Sequence, residues 1–126
     1  MRKDFCVEKI CNIPVDIKTS NKSPLALCME SKFGDFYLEI SLHDIKTYLL
    51  SQSGLIEKWQ IWTEDKRTWG YGLSINAGEY SIGYRDSNNI LTFHKTFSNK
   101  LDACSEYIFR EVASILNIEI PDSKFL

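Results

Sequence analysis

The apolar positions of the chain change period several times, and each change predicts an element. Phe36, Leu38 and Ile40 alternate with Tyr37 and Glu39, the period of a half-buried strand. Ser41 then opens "SLHD", a serine followed three residues on by an acid, which predicts a helix N-terminus. Leu42, Ile45 and Leu49 recur at helical spacing over about residues 42 to 53, and Gly54 is placed for a left-handed cap. Trp59 and Ile61 return to a period of two, with Lys58, Gln60 and Trp62 on the opposite face. Trp69, Tyr71, Leu73 and Ile75 follow, then Tyr80, Ile82 and Tyr84, then Leu91, Phe93, Lys95 and Phe97, separated by turn chemistry at "NAG" (76 to 78) and "DSNN" (86 to 89). Four strands on short connections predict an antiparallel meander.

Ser98 stands as the N-cap of a last helix whose stripe is Leu101, Cys104, Ile108, Val112, Ile115 and Leu116, with Glu106 and Arg110 one turn apart on its charged, exposed face. Ile118 and Ile120 pack a short tail before Pro121. Toward the N-terminus, Pro14 and Pro24 interrupt short apolar runs around the polar connector "KTSNKSP" (18 to 24), and short extended segments are expected near 11 to 17 and 25 to 29. The assembled expectation is an α+β fold: a curved antiparallel sheet, the four-strand meander plus N-terminal strands, packed on one face by two main helices. In "WGYG" the glycines strip side chains from one side of their strand, so that another backbone can approach closely there.

Length and composition narrow the classes. At 126 residues, 44% hydrophobic and 25% charged, the chain suits a single domain over 1–126 that buries about 14,000 Å² on folding. A formal charge of -2 and the lack of a basic cluster disfavour direct nucleic-acid binding. No apolar run is long enough to span a bilayer, and charged residues interrupt any secretory pattern at the start, so the reading is a cytoplasmic protein. The four cysteines, Cys6, Cys11, Cys28 and Cys104, are then expected as reduced thiols. Their spacing offers no second ligand pair for zinc, and neither a metal nor a cofactor is expected.

Candidate chemistry is sparse. His43 and His94 are the two imidazoles, and no nucleophile or metalloprotease motif accompanies them. A ribonuclease-like reading takes His94 as general base and Lys95 to stabilise the phosphorane, with Glu106 or His43 as partner; solvated strand and helix positions account for both histidines better. Phosphate-loop glycine patterns are absent. The stretch "WTEDKRTWGYG", residues 62 to 72, is the unusual feature. A hairpin loop with core aromatics at its base explains any one of its residues. Together, large aromatics beside carboxylates suit a protein interface that steers a basic partner. The candidate contact residues are Trp62, Glu64, Asp65, Arg67, Trp69, Glu79 and Asp86.

The ordered run "KWQIWTEDKRTWGYGL", "GEYSIGY" and "TFSNKLDACSEYIFREV", covering about residues 55 to 117, resembles a group of small immunity proteins of bacterial contact-dependent growth inhibition and related polymorphic toxin systems. That resemblance implies a non-enzymatic cytoplasmic antidote. Its partner would be the C-terminal toxin domain of a cognate effector, commonly a nuclease acting on transfer RNA or DNA, blocked either at its cleft or beside it. Glu64, Asp65, Arg67 and Trp69 align with the pattern; the N-terminal fifty residues lie outside it. A monomer is assumed. A small RNA-cleaving enzyme using His94 and Lys95, or an adaptor subunit of a cellular complex, are the alternatives.

Overall fold

The computed structural model describes residues 3–65, 69–76 and 78–126. Their element order is α1 (Lys3–Cys11), α2 (Ile13–Ser20), α3 (Pro24–Glu30), α4 (Phe33–Phe36), α5 (Leu42–Ser51), α6 (Leu55–Asp65), β1 (Gly70–Asn76), β2 (Glu79–Arg85), β3 (Leu91–Phe97), α7 (Lys100–Ile115) and a 3₁₀ turn (Asp122–Phe125). The α+β class stands, with a sheet of three antiparallel strands in the order β1-β2-β3. The expected fourth strand and the N-terminal strands are helices.

The reason is spacing. Trp59 and Ile61 alternate, but Leu55, Ile56, Trp59 and Trp62 also fall one turn apart, and the helix period buries Leu55 and Trp59 while leaving Ile61 47% exposed. Trp59 Nε1 donates to the Cys11 carbonyl at 2.9 Å, which ties α6 to the end of α1. In the same way Phe33, Phe36, Tyr37 and Ile40 make one face of a tight helical turn, and Leu38, expected inside a strand, is exposed. Cys6, Val7, Ile10 and Cys11 form the buried stripe of α1. The two prolines begin helices rather than interrupt strands: Pro14 lies in the first turn of α2, and Pro24 opens α3 behind the N-cap Ser23, whose side chain accepts the Ala26 N–H.

Where capping chemistry is explicit the pattern reads correctly. Ser41 and Asp44 form a reciprocal capping box on α5, at 3.1 and 2.9 Å. Gly54 takes φ +83°, in the link between α5 and α6 rather than as the C-cap, which is Gln52. The N-cap of α7 is Asn99, not Ser98, its side chain accepting the Asp102 N–H at 2.8 Å.

Helix α7 is the centre of the molecule. It lies between the sheet and the helices α3, α5 and α6, so residues 103 to 109 and 111 to 113 are all buried. Its expected charged face is therefore an internal polar network. Glu106 accepts from Lys95 Nζ at 2.7 Å and Arg110 Nε at 2.8 Å. The Arg110 guanidinium is 3.9 Å from the Phe125 ring centroid and 4.5 Å from that of Phe93. The tail packs as expected through Ile118 and Ile120, and adds Phe125 to the core.

Candidate functional site

Among the described residues, the core covers one face of the sheet. Leu73 and Ile82 are buried, and Tyr71, Ile75, Tyr80, Tyr84, Phe93 and Phe97 pack toward the core, so strand alternation turns Gly70, Gly72, Ser74, Ser81, Gly83, His94 and Thr96 outward. The register places Gly72 opposite Gly83 and Ser74 opposite Ser81, with His94 and Thr96 beside them on β3. Gly70, Gly72, Ser74, Ser81 and Gly83 floor an open trough of about 680 Å³.

Its walls come from three elements. On one side, α6 covers the outer edge of β1: Thr63 Oγ1 accepts the Leu73 N–H at 3.0 Å and also receives the Tyr107 hydroxyl at 3.3 Å. Gln60 and Glu64 continue that wall, bonded to each other at 3.1 Å, and Gln60 Oε1 is buried with no hydrogen-bond partner among the described residues. On the other side stand His94 and Leu91. Leu91 shares the parity of Phe93 and Phe97 and was expected with them; a bulge next to Tyr84 and Arg85 pairs Arg85 with Leu91 and turns Leu91 outward over Gly83. Trp69, 59% exposed, closes the end where β1 starts, with Arg85 and Asp86 beside it.

The structure divides the expected contact residues. Glu64, Trp69 and Asp86 line the trough together. One Asp86 oxygen is committed to the β2–β3 turn, accepting the N–H of Asn88 at 2.9 Å and of Ile90 at 3.0 Å. Trp62 does not join them. It is half-buried, its Nε1 donating to Glu111 at 3.0 Å and its ring edge-on to Trp59 at 5.6 Å, so it braces α6 against α7. Asp65 faces a second groove on the far side of α6. Glu79 begins β2 opposite Asn76, six residues and about 20 Å along the strands from the Trp69 end. Arg67 lies outside the described residues. Gln60, Thr63, Arg85 and Leu91 were missed; only the glycines of β1 and β2 signalled the floor they surround.

The catalytic constellation does not assemble. His94 and Lys95 are successive strand residues and point to opposite faces, and Lys95 is held at Glu106 beneath the sheet. His43 sits exposed in the first turn of α5. Among the described residues, no three His, Cys, Asp or Glu side chains converge as a metal site. The four cysteines are buried and free. Burial pushes the thiols of Cys6 and Cys28 up to about 12, and those of Cys11 and Cys104 higher still. Among the described residues no helix is long and apolar enough to cross a membrane. No protein-family model, curated protein or solved structure matches the chain.

Proposed function

We propose that the chain is an immunity protein of a contact-dependent growth inhibition system, which binds and neutralises the C-terminal nuclease toxin domain of a cognate effector in the cytoplasm. The carrying observation is the ordered resemblance over residues 55 to 117, whose most distinctive stretch ends in Trp69 and the glycine floor of the trough. An exposed tryptophan sharing with Leu91 a trough floored by glycines and serines suits a protein anchor: it offers apolar area to bury and a backbone that a partner can approach closely. Glu64 and Asp86 on the same rim suit a partner whose substrate cleft is basic. No catalytic residue is assigned to the chain.

The test uses the toxin domain encoded immediately upstream. Calorimetric titration of that domain should give a stoichiometric complex, and the chain should suppress its nuclease activity. Trp69→Ala combined with Glu64→Lys should weaken binding about 30-fold or more, the loss expected for an interface anchor. Unchanged affinity in that double variant removes the trough as the contact. Failure of the wild-type chain to bind or protect removes the function. Cleavage of transfer RNA by the chain alone, lost with His94→Ala, would replace it with an enzyme.

A further inference from the structure

The second groove, about 500 Å³, lies between α2, the start of α3 and α6, and its walls include Pro14, Val15, Ile17, Ile61 and the indole of Trp62. Its charges are Lys18, Lys58 and Asp65, and none of the three is in an ion pair among the described residues. On α6 the lining residues Lys58, Ile61, Trp62 and Asp65 fall at i, i+3, i+4 and i+7, which is one helix face. A cation and an anion therefore stand at the two ends of that face, about 10 Å apart, with Ile61 and Trp62 midway between them.

That order is complementary to itself. A two-fold axis through the Ile61–Trp62 step, perpendicular to the helix, runs α6 antiparallel to its own copy. It sets each Lys58 against the other copy's Asp65 and each Ile61 against the other copy's Trp62 across the axis. We propose that this face is a homodimer contact in which α6 packs antiparallel against α6 of a second copy, Ile61 entering the partner groove and Lys58 pairing with Asp65 at both ends. Ile61 supplies an apolar side chain still half exposed in the single copy. The Trp62 indole is already fixed by its bond to Glu111, so ordering it costs nothing on association. Lys18 adds one surplus cation per copy; the paired charges thus set register, and apolar burial drives the contact. Gln60, Thr63 and Glu64, which wall the sheet trough, are on the opposite side of α6, so a dimer leaves both troughs open. The proposal does not depend on the immunity reading.

Sedimentation equilibrium of the full chain, from micromolar to submillimolar concentration, reads the result. A reversible monomer–dimer equilibrium is expected. Lys58→Asp and Asp65→Lys, each of which converts two attractive pairs into two repulsive ones across the two-fold, should each weaken association about tenfold or more. The double exchange Lys58→Asp/Asp65→Lys should restore it to within about threefold, because the swapped pattern is again self-complementary. Both positions are on an exposed helix surface, and the restored double variant doubles as the folding control. A monomer at every concentration overturns the proposal and leaves the groove to a different occupant. A dimer indifferent to the single reversals, or a double exchange no better than either single one, overturns it equally.

Discussion

Glu106 and Trp69 show how far a residue's type falls short of its role. Glu106, one turn from Arg110, reads as half of a surface pair worth a few tenths of a kcal/mol. In the fold its side chain is 2% exposed and neutralises two cations, Lys95 and Arg110, at the junction of sheet, α7 and C-terminal turn. Removing the carboxylate leaves the nearly buried Arg110 without its anion and facing Lys95, which is 35% exposed. Glu106→Ala should therefore cost about 3 to 5 kcal/mol of stability, seen as a lowered urea midpoint with little change in slope. Glu106→Gln keeps the shape and one of the two acceptors, since its amide nitrogen cannot accept from the second cation, and should recover only part of that loss. The tryptophans divide in the opposite sense. Trp62 and Trp69 look alike in sequence as the two ends of one charged connector, yet Trp62 is spent on Glu111 while Trp69 is left outside. Nothing local distinguishes them; the layer each one meets does.

At the scale of elements, legibility followed local chemistry. The α5 start was readable because a capping box satisfies its own backbone groups within four residues and needs no distant partner. Ser41→Ala should lower stability by about 1 kcal/mol, measured by thermal or urea unfolding. Burial pulls the Asp44 carboxyl up, but the Ser41 N–H and hydroxyl and the Lys3 ammonium outweigh it and hold the group below its ordinary value. Its contribution is thus present above the ordinary carboxylate pKa and fades as pH falls through the depressed one, so the Ser41→Ala deficit should shrink in acid. The three strands were equally plain, since "DSNN" supplies the turn between β2 and β3, Gly78 takes φ +82° just before β2, and their alternation is long. Short apolar runs misled. Phe36 to Ile40 and Trp59 to Trp62 satisfy periods of two and of 3.6 together, and only contact with α1 and α7 decides between them.

The whole molecule adds what no segment contains. Cys6, Cys11, Cys28 and Cys104 meet in one core because α1, α3 and α7 are packed together, and that burial raises every thiol. A thiol with a raised folded pKa adds nothing adverse while both states are protonated, and costs stability once the unfolded chain alone ionises. Stability should thus be level below about pH 9 and fall as pH climbs from the ordinary 9.0 toward the folded value of about 12 for Cys6 and Cys28. At pH 8 a thiol reagent should label the native chain far more slowly than the chain in denaturant; rapid labelling of the folded protein would contradict this core. The sequence by itself determined the capped helix α5, the long apolar helix α7, three of the four strands expected in the meander and the glycine floor, because each rests on chemistry closed within a few residues. Only the tertiary structure decided that the N-terminal third is helical, that Leu91 turns outward at a bulge, and that Trp69, Glu64 and Asp86 share a trough from which Trp62, Asp65 and Glu79 are absent. Those outcomes depend on which surfaces meet across the chain, and helix and strand periods in short apolar runs carry no record of that.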